Sequence, residues 1–375
     1  MRELAALNPY LWRFKWPLLL GVLFVVLSNY FAIKQPQIVR KAIEDIEHII
    51  DAKLSTAENG QALKAEAPKT LKYGALFLLL ALVSGFFTFM MRQMIIVVSR
   101  KIEKQLKDDI YNHLQKQSLS FYRKNNTGDV MAKVTEDVAA VRMYLGPGIM
   151  YTINFASNII LVLIVMFTVN VELTLYVLAP MPVLAISIYF VNKLILKRST
   201  LLQEQMSNIS TFVQEMYSGI RVVKSFAAEK LMSRFFERES EEYKKRSLSL
   251  VQINASFIPL IILLIGLSNL LTIFIGGQLY IQGEATSGNI AEFFLYVTRL
   301  TWPVAAVGWV TALIQRAAAS QKRINHLLNQ KPEMDNGNKI LDPLNGHIEF
   351  KDVSFTYAHT GISALKNINL KVEPG

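Results

Sequence analysis

Arg299 is the residue whose chemistry stands out most, because it is a charged side chain well inside the last long apolar segment, Ile290–Ile314. Ionisable groups inside the lipid phase are costly and therefore point to a function. We expect this guanidinium, which precedes Trp302-Pro303, to face a central cavity and bind an anionic group on a substrate. The alternative is a structural ion pair with Glu292, earlier in the same segment.

Other polar side chains inside apolar segments are predicted to join helices. Arg92 lies near the end of the second segment, where its long side chain can reach the water interface. Amide side chains form hydrogen bonds between helices in lipid, and four asparagines are placed to do so: Asn154, Asn158, Asn254 and Asn269. Arg299 is therefore the main candidate for contact with a substrate.

The elements that must position these side chains are apolar helices. The 375 residues are 52% hydrophobic and 18% charged, whereas soluble domains carry roughly 25% charged residues. A set of buried helices in a large soluble core is the alternative, which the length and low charge of the segments disfavour. Six segments are near or above the ~20 residues that cross a bilayer: Pro17–Ile33, Tyr73–Val98, Ile149–Val169, Leu173–Ile195, Ile253–Ile275 and Ile290–Ile314.

The net charge of +11 follows a membrane topology. Lysines and arginines are frequent between the second and third segments and between the fourth and fifth, whereas Asn170–Glu172 and Gly276–Asn289 contain none. Because basic loops stay on the cytoplasmic side, the sequence predicts cytoplasmic N- and C-termini and an integral protein of the bacterial inner membrane. This distribution argues against nucleic acid as a partner. The absence of cysteine excludes disulfides and thiolate metal sites.

The two basic connections are predicted to be helical hairpins that continue the spans into the cytoplasm. Apolar residues repeat at helical spacing after the second segment, at Ile102, Leu106, Ile110 and Leu114. Each hairpin turns at a polar, glycine-containing stretch. We call these turns the first tip (residues 121–130) and the second tip (residues 213–226).

Both tips combine a helix break with apolar side chains. In the first tip, Thr127 or Asp129 is expected to cap the helix that follows. Exposed aromatic and aliphatic residues so far from lipid favour a surface that docks another protein, and the candidates are Phe121, Tyr122, Val222, Val223 and Phe226. The alternative is that each tip is a solvated loop.

The chain changes character after residue 330. Residues 331–346 are rich in Asp, Asn, Gly and Pro and are predicted to be a linker. Residues 347–375 show the two-residue period of strands, and because a lone hairpin is marginally stable, we expect them to be the first strands of a larger domain. The predicted fold class is an all-α polytopic membrane protein, with six long transmembrane helices and cytoplasmic extensions in residues 1–330 and a short incomplete β segment at the C-terminus.

At this point the chain resembles the ABC exporter half-transporters of the lipid-flippase and multidrug type. Phe121-Tyr122 with Thr127-Gly128-Asp129-Val130 is similar to the first coupling-helix motif of that family, and Ser218-Gly219-Ile220-Arg221 with Phe226 is similar to the second. The stretch from Val353 to Tyr357 resembles the first strand of its nucleotide-binding domain.

The resemblance implies an ATP-driven exporter that works as a homodimer or as paired half-transporters. Such a protein moves lipids, drugs or other amphipathic compounds out of the cytoplasm or the inner leaflet of the bilayer by alternating access. The implied cofactors are ATP and Mg²⁺, with Tyr357 stacked on the adenine; the alternative for Tyr357 is an aromatic residue of the domain core. The resemblance assigns contact with the nucleotide-binding domain to Phe121, Tyr122, Thr127, Gly128, Asp129, Ser218, Gly219, Arg221 and Phe226.

One departure from the family concerns the phosphate-binding loop. No G-x-x-x-x-G-K-[ST] segment occurs in the chain, and the resemblance places this Walker A loop beyond Gly375. The loop supplies backbone donors, a lysine and a hydroxyl for ATP and Mg²⁺. We therefore expect that the chain is truncated before this loop. Such a chain would not bind the cofactors competently or hydrolyse ATP by itself. Whether it should be classed as an enzyme is left open. The competing hypothesis is a non-catalytic membrane scaffold that docks a partner domain through its tips.

Overall fold

A computed structural model describes residues 2–55, 61–332, 346–357 and 361–374, with the backbone alone for residues 2, 51–55 and 61–70. Within this part of the chain a 3₁₀ turn, Arg2–Leu7, precedes the helices. The helices are α1 (Asn8–Arg13), α2 (Lys15–Ser55), α3 (Gln61–Gln115), α4 (Leu119–Lys124), α5 (Thr127–Ala132), α6 (Val138–Met143), α7 (Ile149–Val169), α8 (Val171–Leu178), α9 (Pro180–Ser218), α10 (Ile220–Ser225), α11 (Glu229–Ile281) and α12 (Ser287–Leu328).

Six helical stretches are long and apolar enough to cross a membrane, which confirms the predicted fold class. Their bounds are Lys15–Ile50, Leu71–Gln115, Thr127–Val169, Val171–Ser218, Glu229–Ile281 and Ser287–Leu328. Each includes one predicted apolar segment and extends beyond it. The fourth differs in one respect, because the helix is interrupted between Leu178 and Pro180. Proline has no amide hydrogen to donate, so the backbone hydrogen bonding breaks there.

The third span is reached through two π-helical turns, Lys133–Asp137 and Tyr144–Gly148, which flank α6. A π turn inserts one extra residue into the helix, and such turns are rare. Sequence periodicity predicted a continuous return helix here and did not detect either turn. Their effect is to change which side chains α6 directs toward α12.

Two apolar cores are the largest in the described part of the helical bundle. One lies at the end of the bundle that carries the tips, where the 3₁₀ turn, α3, α6 and α12 meet; its fully buried members include Leu7, Ile102, Val138 and Ile324. The other lies toward the opposite end, where α7, α8 and α12 meet around Val162, Leu173, Phe293 and Tyr296. Helix α12 contributes to both cores and therefore runs through the packed centre of the chain.

The N-terminal segment folds back onto the tip end of the bundle. Leu4 and Leu7 are buried in the first core, and the Tyr10 hydroxyl donates to Asp109 of α3 at 2.5 Å. Burial, with the adjacent Asp109 carboxylate, raises the pKa of Tyr10. Trp12 and Trp16 are exposed and flank the Lys15 ammonium, a combination common at membrane interfaces.

At the opposite end, α2 and α3 extend well past the predicted apolar segments. Carboxylates on this extension of α2 accept hydrogen bonds from neighbouring elements. Asp45 accepts from Tyr73, and Glu44 accepts from Thr286, each at 2.5 Å; Glu47 accepts from Ser287. These contacts between α2, α3 and α12 join residues distant in sequence and were not predicted.

The C-terminal residues form the predicted strands, β1 (Ile348–Thr356) and β2 (Ser363–Val372). They pair antiparallel, with Ile348 opposite Val372 and Phe350 opposite Leu370. All but one of the described strand side chains are exposed. The predicted linker falls largely outside the described residues, at positions 333–345.

We predict that Gly288→Ala destabilises the chain by about 1–3 kcal/mol, the usual cost of overpacking. A Cβ at this position would lie 2.7 Å from the Arg40 carbonyl oxygen and 2.9 Å from the Glu44 side chain. Thermal unfolding of the purified protein in detergent measures the effect.

Gly266→Ala is the matched control, because nothing lies within 4 Å of its added Cβ. Alanine favours a helix over glycine by about 1 kcal/mol, so this variant should be neutral or stabilised. Equal melting temperatures for the two variants would contradict the close packing of α2 against α12.

Candidate functional site

Arg299 joins three transmembrane helices. Its Nε donates to Asn158 Oδ1 of α7 at 3.1 Å, and its Nη1 donates to the Ala32 carbonyl of α2 at 3.1 Å. The side chain is half-buried. Both acceptors are neutral, so the positive charge has hydrogen-bond partners but no bonded carboxylate among the described residues. The expected hydrogen bond of Asn158 between helices is confirmed.

The alternative ion pair between Arg299 and Glu292 is wrong. Glu292 is fully buried and accepts from Arg40 Nη1 at 3.0 Å and from the Tyr296 hydroxyl at 2.7 Å. Sequence separation within α12 suggested the wrong partner, because Arg40 lies on α2, far away in sequence. The Glu292 charge is therefore compensated by Arg40 and not by Arg299.

Further polar contacts in the spans hold helices together. Asn29 Nδ2 donates to the Asn154 carbonyl at 3.0 Å and to Ser157 Oγ at 2.6 Å, joining α2 to α7. Ser28 Oγ lies 2.7 Å from Thr88 Oγ1 and joins α2 to α3. Asn29 and Ser28 were not singled out from the sequence, although polar residues inside the first apolar segment were the available signal. Arg92 is exposed, as expected.

The first tip is built from α4 and α5. Asn126 caps α5, since its side chain accepts from the Gly128 amide at 2.9 Å, so the expectation of Thr127 or Asp129 as the cap is wrong. Those two residues are exposed in the first turn, with Asp129 paired to Lys133 at 2.5 Å.

The two aromatic residues of the first tip have different surroundings. Phe121 is buried in the core at this end of the bundle, so the expectation that it is exposed is wrong. Tyr122 is exposed and donates through its hydroxyl to the Leu114 carbonyl at 2.8 Å. Adjacent residues of a helix lie about 100° apart around its axis, so Phe121 can face the core while Tyr122 faces solvent, a difference that a hydropathy pattern alone does not resolve.

The second tip is more open. Helix α9 ends at Ser218, Gly219 forms the junction, and α10 follows with Arg221 exposed. Val222 and Phe226 are 60% and 79% exposed. These apolar side chains form a surface at the end of the α9–α11 hairpin.

A bidentate ion pair ties the first tip to the end of α12. Arg323 donates through Nε to Asp137 Oδ2 at 2.8 Å and through a second nitrogen to the other carboxylate oxygen. Asp137 belongs to the π turn that follows α5, so the pair connects the return path from the first tip to α12 just before residues 331–346. Arg323 and Asp137 are 186 positions apart, and the sequence did not predict this pair.

Comparison with known proteins identifies the architecture. The family model for the ABC transporter transmembrane region matches residues 18–304. The chain belongs to this family. The resemblance to ABC exporter half-transporters drawn from the two tips is thereby confirmed.

Relatives of this ABC transporter chain include proteins named for multidrug resistance and proteins named for lipid A-core transport. It is 31% identical over 306 residues to the multidrug resistance-like ATP-binding protein MdlA of Escherichia coli (strain K12), covering 81% of this chain and 52% of that protein. It is 31% identical over 280 residues to the ATP-dependent lipid A-core flippase of Desulfotalea psychrophila (strain LSv54 / DSM 12343), covering 74% of this chain and 49% of that protein. The chain thus spans about half the length of these relatives.

Tyr357 lies just after β1 of this ABC transporter chain. Its ring packs edge-on against Phe355, with 5.0 Å between ring centroids, and its amide donates to the Ile362 carbonyl at 2.9 Å. The side chain is 39% exposed. Part of the ring is therefore open to solvent.

We predict an asymmetry between the two halves of the Asp137–Arg323 pair. The carboxylate is 7% exposed and the guanidinium 53% exposed. Arg323→Ala leaves a buried charge without its partner and should cost about 3 kcal/mol, whereas Asp137→Ala leaves a half-exposed cation and should cost less. Thermal or denaturant unfolding of both variants and of the double variant measures the difference.

Lys322→Ala is the matched control for this pair, because Lys322 is the exposed neighbour of Arg323 in α12. It should unfold like the unmodified chain. The opposite order of the two single variants would mean that Asp137 has other stabilising contacts.

Proposed function

We propose that this chain is the membrane half of an ATP-driven exporter that moves amphipathic compounds, such as lipids or drugs, out of the cytoplasm or inner leaflet. Membership of the ABC transporter family and the two kinds of relatives support this function. The observation that carries it is Arg299, a half-buried cation between three spans whose bonded acceptors are neutral. The family match disfavours the alternative of a non-catalytic scaffold.

The orientation in the membrane follows from charge. Both tip-bearing hairpins are basic and the short opposite connections are not, so the positive-inside rule puts the tips and both termini in the cytoplasm. We assign the protein to the bacterial inner membrane on the same basis. The carboxylates Glu44, Asp45 and Glu47 then face the outside.

Assembly as a homodimer, or with a second half-transporter, completes the translocation path in this proposal. Six spans form one half of the twelve that the exporter family implies. Helices α9 and α11 pack mainly on each other, and much of their apolar surface is exposed, including Ile262, Leu263 and Phe274. Lipid and a second subunit would cover this surface.

Substrate attraction is the role proposed for Arg299. A guanidinium donates several hydrogen bonds in a fixed plane and remains charged at any physiological pH. Two of its nitrogens are held by Asn158 and Ala32, which fixes the group in place while its charge remains available to a phosphate or carboxylate on the substrate. Because both hydrogen-bond acceptors are neutral, they do not neutralise the guanidinium charge.

The tips are proposed to receive motion from nucleotide-binding domains. The second tip offers the apolar surface of Val222 and Phe226, and the first offers exposed Tyr122, Thr127 and Asp129. Rigid-body rotation of domains is a common way to drive alternating access. Because α9 and α11 are continuous between tip and span, displacement of the second tip would be carried into the membrane.

ATP and Mg²⁺ fit this chain only in part. Tyr357 supplies an aromatic face for the adenine, in line with the role the resemblance implies. The described strands offer no cluster of phosphate donors, and the sequence contains no phosphate-binding loop of the G-x-x-x-x-G-K-[ST] type. We therefore derive no step of ATP chemistry from these residues.

We predict that Arg299→Gln, made in a complete transporter that contains this chain, lowers transport of an anionic amphiphile by about tenfold, the equivalent of 1.4 kcal/mol. Glutamine keeps a donor for Asn158 but loses the charge. Arg299→Lys should retain part of the activity. Uptake of a fluorescent anionic lipid into inverted vesicles measures the rate.

Arg92→Gln is the control for this experiment, since Arg92 is an exposed arginine on a different span. It should transport normally. Unchanged transport and substrate-stimulated ATPase activity in Arg299→Gln would remove Arg299 from the substrate path.

We predict that Phe226→Ala in the same transporter uncouples its two activities. Loss of an exposed apolar contact should reduce substrate stimulation of ATPase several-fold, while basal hydrolysis and thermal stability stay near normal because the ring is not part of the core. Parallel ATPase and transport assays measure the coupling.

Phe236→Ala serves as the comparison, being an exposed phenylalanine on α11 outside the tip. It should keep full coupling. If Phe226→Ala also keeps it, docking through the second tip is refuted.

A further inference from the structure

A cavity of about 310 Å³ lies between α6 and α12 at the tip end of the bundle. One wall is formed by Glu136, Ala139, Ala140 and Met143, from the first π turn and α6. The opposite wall is formed by residues of α12, namely Trp309, Leu313 and Arg316. The cavity is separate from Arg299, which lies 10 residues before Trp309, the nearest lining residue of α12, and so about 15 Å away along the helix axis.

The cavity is polarised along the membrane normal. Trp309 and Leu313 on α12 and Met143 on α6 are the lining residues nearest the spans, whereas Arg316 and Glu136 are nearest the tips. Small alanines leave the space between the two walls open. The lining is therefore apolar toward the bilayer and charged toward the aqueous end.

The two charges in this lining have opposite sign and are not used elsewhere. Among the described residues, neither Glu136 nor Arg316 has an ion-pair partner. Their neighbours differ, because Asp137 is paired with Arg323 on the same two walls. That bidentate pair joins α12 to the π turn that contributes to the cavity wall, whereas Glu136 and Arg316 line the cavity and are exposed.

The walls are also fixed in shape. The Trp309 ring packs edge-on against Tyr151 at 5.5 Å between centroids. Leu313 approaches Gly148 so closely that an added Cβ would lie 2.9 Å from its Cδ2. Both π turns of the described chain adjoin this cavity, and π turns occur frequently at functional sites. These features indicate a formed binding site.

We propose that this cavity binds a zwitterionic amphiphile, with its phosphate at Arg316, its ammonium group at Glu136 and its alkyl chain along Trp309, Leu313 and Met143. A ligand with a single charge would pair with either Arg316 or Glu136. The remaining side chain would then be unpaired or would lie near a charge of its own sign. A ligand with both charges satisfies both. This proposal rests on the export of amphipathic compounds proposed above and names the class of substrate.

The binding test uses the full chain in uncharged maltoside detergent, with Trp12, Trp16 and Trp302 replaced by Phe so that Trp309 is the single tryptophan of four. The probe is hexadecylphosphocholine, compared with hexadecyl phosphate and hexadecyltrimethylammonium. The zwitterion makes one more charge pair than either ion, so it should quench or shift Trp309 fluorescence at about threefold to fivefold lower concentration, the equivalent of up to about 1 kcal/mol for one partly exposed pair.

Variants locate the site. Glu136→Gln and Arg316→Gln should each remove most of the preference for the zwitterion, and Ala140→Leu should weaken binding of all three probes by filling the cavity. Ala319→Leu is the matched control on an exposed part of α12 and should bind normally.

Equal affinity for the three probes, or an unchanged preference in both charge variants, would overturn the proposal. So would a Trp309 signal that follows protein concentration and ignores the probe, because a second copy of the chain would then occupy the cavity. The assay measures binding without transport. A failure of export in the complete transporter would therefore leave a positive binding result intact, and absent binding would leave export intact.

Discussion

The structure depends on how polar groups are satisfied inside a segment that crosses lipid. Water is absent there, so each buried polar side chain needs a protein partner. Helix α12 meets this requirement twice, through Glu292 with Arg40 and through Arg299 with Asn158 and Ala32. These contacts bind α12 to α2 and α7 at fixed heights. The apolar packing around these contacts adds buried surface area, whereas the polar pairs determine the position of α12 along α2 and α7.

The two tips are supported in different ways. The first is anchored by buried Phe121 and by the Asp137–Arg323 pair, so it moves with α12 and the core around it. The second stands at the end of a long hairpin and exposes Val222 and Phe226. One contact surface is therefore rigidly joined to its own subunit, and the other is joined mainly through two helices. A partner domain in contact with both tips would therefore meet a rigid surface at the first tip and a more flexible one at the second.

Much of this architecture was predictable because it follows from local periodicity. The six apolar segments, the helical hairpins and the two-residue period of β1 and β2 all follow from spacing along the chain, as does the basic character of the tips. What the sequence could not supply are pairings between distant residues. Arg40 was not expected to neutralise Glu292, and Asn126 displaced Thr127 and Asp129 as the cap because capping depends on the turn geometry. The π turns also escaped prediction, since a single-residue insertion barely alters an average of hydropathy.

The second span has a mechanical consequence of its own. The helix from Leu71 to Gln115 has 45 residues without interruption, which makes it a rod of about 68 Å. A tilt of 10° about one end of such a rod would displace the other end by about 12 Å, on the same geometry. Small angular changes near the lipid–water boundary are in this way amplified to distances comparable with the width of a helix. The length of this helix, more than any single contact along it, determines how far one end moves when the helix tilts about the other.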